Sequence, residues 1–253
     1  MLLDHKNLIR LFTFFLLFSA FECSTTSQHF AYLQTQKDKL TICYNQPING
    51  YAVMVQWLPD SFLKSCHGDA VYTLVKKNDT IVFRHRLCID DVGVIPDYEH
   101  CLGKTITLDY KEPSPDAPFT GNVLLNFADV NYDGKMELIT YGDLSLSAHE
   151  GEKGNLLDCY PIYVWQIQGH SVSQFSGEPF DELAEVPCRV NVYFQRNEQA
   201  LILDRYYSYG EGEKTVYYFK KGILSRVSDS HYQYDHEKKK QIIISHKERH
   251  ISE

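Results

Sequence analysis

One stretch of this chain concentrates oxygen-bearing side chains at a spacing that can do chemistry. Residues 129–137 read Asp129-Val130-Asn131-Tyr132-Asp133-Gly134-Lys135-Met136-Glu137, the pattern D-x-N-x-D-G-x-x-E. Alternate side chains at Asp129, Asn131 and Asp133 can converge on one point of a tight loop, and Gly134 supplies the sharp turn. Lys135 can add its carbonyl oxygen, and Glu137 a carboxylate from the start of the next element. Such a hard, all-oxygen set suits calcium, which takes six to eight oxygen ligands. Without a cation, the carboxylates of Asp129, Asp133 and Glu137 repel one another. The plain alternative is an ordinary Asn/Asp/Gly turn.

The spacing departs from that of an EF-hand. An EF-hand closes with Glu at position twelve, which here is Thr140. The flanks, Val123 to Ala128 and Met136 to Tyr141, read as strands, so the motif is a short loop between strands that closes at its ninth position. Its expected role is structural, since no nucleophile or general base stands near it.

No other constellation demands an enzyme. GxSxG, HExxH and P-loop patterns are absent. Asp90, Asp91, Asp97, Glu99 and His100 crowd between Cys88 and Cys101, and paired carboxylates can cleave glycosidic bonds. An acidic surface loop pinned by a disulfide is the simpler account. The histidines His231, His236, His246 and His250 lack the companion spacing of a metal site. The reading is therefore of a binding protein, not an enzyme.

The elements that must position the loop are strands. Leu40 to Tyr44, Tyr51 to Trp57, Ala70 to Lys76, Thr80 to Leu87 and Lys104 to Tyr110 are rich in Val, Ile, Thr and aromatics. So are Tyr160 to Gln168, Arg189 to Gln195, Ala200 to Tyr207, Lys214 to Phe219 and Ile223 to Val227. Lys77-Asn78-Asp79, Lys221-Gly222 and Gly210-Glu211-Gly212 read as hairpin turns. Pro59 to Ser65 and Pro179 to Val186 read as short helices begun by proline. The expected fold is all-β, with antiparallel sheets in a sandwich or propeller-like arrangement and short helical turns.

Composition sets the surroundings. Of 253 residues, 25 are Lys or Arg and 33 are Asp or Glu, giving a net charge of −8. The 43% hydrophobic content is enough for a core. An acidic chain argues against nucleic acid as the main partner, because phosphate binding needs clustered cations. Leu11 to Phe21 is an apolar run preceded by Lys6 and Arg10, the pattern of a secretory signal peptide. It is too short to span a membrane, and no later run is long enough. The expected location is periplasmic or secreted; Glu22 before Cys23 disfavours a lipid anchor at that cysteine. Export leaves Cys43, Cys66, Cys88, Cys101, Cys159 and Cys188, which read as three disulfides. Fifteen pairings are possible, and the sequential set 43–66, 88–101 and 159–188 closes the shortest loops.

The stretch Phe127 to Ile139 resembles the D-x-N-x-D-G-x-x-D/E-L signature of a family of exported bacterial proteins. That family includes periplasmic inhibitors of lysozyme-like peptidoglycan hydrolases and immunity proteins against secreted hydrolases. The likeness continues through Gly154-Asn155, the tyrosine-rich Tyr160 to Trp165, and Tyr217-Tyr218-Phe219-Lys220-Lys221-Gly222-Ile223-Leu224. It covers roughly residues 120–228, and Leu156 to Cys159 interrupts its spacing. The resemblance implies an inhibitor or immunity protein whose partner is a basic lysozyme-like hydrolase, toward which a −8 protein would be steered. The segment Ser145 to Leu157 is the expected partner-binding loop, with Ser145, His149, Glu150, Gly154 and Asn155 as contact residues. A calcium-dependent glycan- or surface-binding module is the alternative. The expected organisation is a signal peptide (1–23), an N-terminal β-rich part (24–119), a calcium-loop β domain (120–230) forming one globule with it, and a charged, flexible tail (231–253).

Overall fold

Alternation of apolar and polar residues builds the first layer. The computed structural model describes residues 38–60, 67–89, 95, 97–114, 123–142, 161–185, 190–207, 210–235, 237–238 and 240–251. Strands β1 (Leu40–Tyr44), β2 (Ala52–Pro59), β3 (His67–Lys76), β4 (Asp79–Cys88) and β5 (Thr105–Leu108) form one sheet in the order β4-β3-β2-β1-β5. Leu40, Ile42, Val55, Trp57, Ala70, Tyr72 and Leu74 bury one face completely. The other face keeps Thr41, Cys43, Met54 and Gln56 partly exposed, as a period of two requires. β1 and β5 pair in parallel, so this sheet is mixed.

The second sheet is buried along its first two strands. Strands β6 (Leu125–Ala128), β7 (Glu137–Tyr141), β8 (Ile162–Gln168) and β9 (Ser171–Gln174) follow one another as an antiparallel meander. Every residue of β6 and β7 is buried, which means both faces are covered. Aromatic contacts show what covers one of them. Trp165 meets Phe83 at 5.4 Å between ring centroids, Tyr163 meets His85 at 4.3 Å, and Phe127 stacks on Tyr51 at 5.5 Å.

The third sheet runs β10 (Val190–Gln195), β11 (Ala200–Tyr206), β12 (Glu211–Lys220), β13 (Ile223–Asp235) and β14 (Lys240–His250), all antiparallel. Phe194, Leu201, Leu203, Tyr217, Phe219 and Val227 join the same continuous core as Leu40 and Trp57. The two expected β-rich parts therefore share one interior. A short helix, α1 (Phe180–Glu185), follows Pro179 as expected; it packs against β8 and reaches the third sheet through side chains. Arg205 pairs with Glu182, Tyr217 donates its hydroxyl to the same carboxylate, and Arg249 pairs with Glu178.

Three expectations need correction. The tail is not loose: residues 231–235 complete β13, and Lys240–His250 form the edge strand β14. Its charges hid the strand pattern, because β14 is exposed along its length and has no apolar face to reveal a period of two. Glu211 and Gly212 of the expected Gly210–Gly212 turn belong to β12 instead, where Gly212 pairs with Tyr206. The short strand β9 carries little apolar signal and was not expected. Among the described residues, no helix is long and apolar enough to cross a membrane.

The Lys221-Gly222 turn does more than reverse the chain. Both residues have positive φ, 54° and 83°, as a two-residue hairpin turn requires. A Cβ on Gly222 would come within 2.7 Å of the Asp133 Cβ, so the turn rests on the 129–137 loop. Gly134 also has positive φ, 85°, but open space around it. Gly222→Ala should therefore destabilise the protein by about 2–3 kcal/mol, against about 1 kcal/mol for Gly134→Ala. Urea unfolding of the two variants checks the order.

Candidate metal-binding loop

The loop joins β6 to β7, and its own backbone amides organise it. The Asp129 carboxylate accepts from the Asp133 and Gly134 amides, each at 3.0 Å. The Asn131 side-chain oxygen accepts from the Asp133 amide at 3.1 Å, and the Asp133 carboxylate accepts from the Lys135 amide at 2.7 Å. Glu137 accepts from the Val130 amide at 3.0 Å, which ties the end of the loop back to its beginning. These are turn-forming side-chain bonds, the reason Asp and Asn occupy such positions.

Outside the loop, Tyr132 is the anchor. Its φ of 62° turns it out of the ring of oxygens. The phenol donates to the Ala200 carbonyl at 3.0 Å, and its ring lies 6.2 Å from Phe194 and 6.1 Å from Phe219. One residue therefore fastens the loop to the third sheet, while β6 and β7 hold it to the second. The sequence shows this tyrosine only as an unassigned position within the motif.

The electrostatics are uneven. Glu137 is only 2% exposed. Burial pushes its carboxyl up to about 7, the Val130 amide opposes the shift, and the charges of Asp133 and Asp129 raise it further. Asp133 is partly compensated by Lys135 at 3.6 Å. Among the described residues, no three His, Cys, Asp or Glu side chains are gathered as a metal-binding group. The donor chemistry still fits a hard cation. Asp129, Asn131, Asp133 and Glu137 offer only oxygen, and a carboxylate oxygen that accepts one hydrogen bond keeps a lone pair. Lys135 has only its carbonyl to offer, because its ammonium is turned to Asp133.

Other expected site residues fall differently. Ser145, His149, Glu150, Gly154 and Asn155 lie outside the described residues, as do Cys66, Cys159 and Cys188. Cys88 is disulfide-bonded, whereas Cys43 and Cys101 are free thiols. This overturns the expected 43–66 and 88–101 pairs. Cys43 registers with Met54, and Met54 with Thr73, six positions along β3 from His67. Six strand residues span roughly 20 Å, well beyond disulfide reach. β4, which ends at Cys88, and β5, which follows Cys101, lie at opposite edges of their sheet. Burial pushes the Cys43 thiol up, which makes it less reactive. In the acidic segment, Asp97 and His100 pair with each other on the surface, and Asp90 and Asp91 lie outside the described residues.

No family model matches the sequence, and no curated protein does. A solved structure described as "Structure of a Xanthomonas Type IV Secretion System related protein" is similar over 88% of this chain and 98% of its own. It has 12% sequence identity and a TM-score of 0.42.

Proposed function

We propose that this chain is an exported protein that binds calcium in the Asp129–Glu137 loop and inhibits a basic, lysozyme-like peptidoglycan hydrolase. The observation that carries the reading is the loop itself. Three carboxylates and an amide oxygen sit on one short turn, with one carboxylate buried and the turn fastened to two sheets. Asp129, Asn131, Asp133 and Glu137 would hold the ion through side chains, and Lys135 through its carbonyl. Calcium would supply positive charge where the chain has placed excess negative charge. Glu137 links that charge to β7, whose five residues are all buried.

Inhibition by occlusion needs a presenting element that loses little freedom on binding. β7 is such a base, and the segment expected to contact the partner follows it directly in sequence. The resemblance of residues 120–228 to hydrolase inhibitors supports the same reading. The net charge of −8 favours encounter with a basic enzyme.

Two experiments separate the parts of this proposal. Saturating calcium at about a hundred times Kd should stabilise the native chain by about 2.7 kcal/mol. That is a rise in Tm of roughly 5–10 °C for a domain of this size. Asp129→Asn and Glu137→Gln should lose most of the rise. An unchanged melting curve with calcium and with EDTA would sink the metal assignment. For inhibition, the purified protein should bind basic lysozyme-like hydrolases in a pull-down and slow their lysis of cell walls, less so at high salt. Failure to bind or slow any such enzyme defeats the inhibitor reading and leaves the metal result standing.

A further inference from the structure

The outer face of the third sheet carries a second arrangement that the calcium loop does not explain. Asp204 and Tyr206 project from the same side of β11, two residues apart. Across the sheet, β10 places Asn191 opposite Asp204 and Tyr193 opposite Ile202, so Tyr193 is the diagonal neighbour of Asp204. From the other side, Tyr232 of β13 reaches over β12 and donates its hydroxyl to Asp204 at 2.6 Å. It passes above Gly212, where a Cβ would lie 2.3 Å from the tyrosine oxygen. Glycine at that strand position is what lets the ring cross. Three tyrosines thus stand around one carboxylate.

Tyr193 and Tyr232 register their neighbours. Burial, then the Asp204 and Tyr206 sites, push the Tyr193 phenol up, and burial, then Asp204 and Tyr193, do the same for Tyr232. Tyr193 and Tyr206 are each 43% exposed, so the arrangement is open to solvent, while Tyr232 is 5% exposed and forms its floor. No cation among the described residues lies within ion-pair distance of Asp204. Lys214 stands directly across from it in register and makes no pair with it. Arg226, the nearest arginine along β13 on that face, is taken by the Tyr218 ring and by Glu248.

We infer that Tyr193, Asp204, Tyr206 and Tyr232 form an aromatic cage with an anionic base that receives a cationic side chain, lysine or arginine, from a basic protein partner. Tyrosine faces attract cations through their quadrupole, and a carboxylate beside them adds charge and a hydrogen-bond acceptor. The rings give contact area at small entropic cost, which is why tyrosine is common at binding surfaces. The site is separate from the metal loop and stands whether or not the partner is a hydrolase.

The test is NMR titration of the isotope-labelled full chain with three probes: tetramethylammonium chloride, N-acetyl-lysine methylamide and chitotriose. Both cations should shift the backbone amides of Tyr193, Asp204, Tyr206 and Tyr232, and the sugar should not. Asp204→Asn keeps an acceptor for the Tyr232 hydroxyl and removes only the charge; it should weaken both cations about tenfold. The double variant Tyr193→Leu, Tyr206→Leu changes exposed rings and should weaken them similarly with an unchanged melting temperature. Cation titrations that leave these amides unmoved would overturn the assignment. So would Asp204→Asn binding cations as tightly as the parent, or chitotriose shifting the same amides in both, which would mark a glycan face instead.

Discussion

The contact on which the assembly depends is Tyr132 against the third sheet. A left-handed backbone angle at a bulky residue is costly, and it persists only where the surroundings fix it. Here the phenol–carbonyl bond to Ala200 and the Phe194 and Phe219 rings fix it, while the Gly222 turn lies against the next residue, Asp133. Reversing the side chain outward has a second effect. It leaves Asp129, Asn131 and Asp133 to bond the loop's own amides on the inside. The joint between two sheets and the shape of the oxygen-lined turn are therefore one structural decision. Loss of the joint would free both.

Burial of the second sheet explains why that decision matters. β6 and β7 have no solvent-facing side, so any polar group on them must find a partner inside. Thr140 does so by accepting from the Trp165 indole at 2.7 Å, and Asn126 by accepting from Tyr110 at 2.7 Å. Glu137 has the Val130 amide, which satisfies one oxygen without supplying a positive charge. The edge of the assembly follows opposite rules. β14 exposes Ile242, Ile243 and Ile244, a pattern prone to pairing with other strands. A register slip between His231 and Tyr232 interrupts the ladder there, and Lys240 and Lys247 flank the run. Irregularity and charge guard the edge that burial cannot.

Much of this was legible from residue types. Alternating Val, Ile and aromatic residues located most strands, Lys77-Asn78 and Lys221-Gly222 marked their turns, and Pro179 preceded the helix. Those signals are local. What escaped was non-local. β14 pairs through its backbone and buries no face, so its sequence reads as polar. Sequential disulfide pairing takes nearness in sequence for nearness in space, which fails for Cys43 and Cys101, both free thiols. In the loop, the motif named the oxygens, but not Tyr132 as anchor or Gly222 as the turn lying on it. Around Asp204, Tyr193, Tyr206 and Tyr232 share no sequence spacing, and only the register of four strands brings them to one carboxylate.

The acidic balance of the chain resolves into distinct local situations. Glu182 is answered by Arg205, which ties the helix to the third sheet, and Glu178, just before the helix, by Arg249. The Glu182–Arg205 pair contributes specificity of docking more than net stability, because its charges lose hydration, and the exposed Glu178–Arg249 pair adds little. Glu248 is answered by Arg226, and Asp133 in part by Lys135. Glu137 and Asp204 differ. Each has a neutral hydrogen-bond donor, an amide in one case and a phenol in the other, and neither has an ion-pair partner among the described residues. A neutral donor orients a carboxylate without cancelling its charge. An incoming cation at either place meets a fixed acceptor and displaces no resident ion from it. A net charge of −8 describes the whole molecule, but at Asp204 and, where its proton is given up, at Glu137 a carboxylate faces no resident cation.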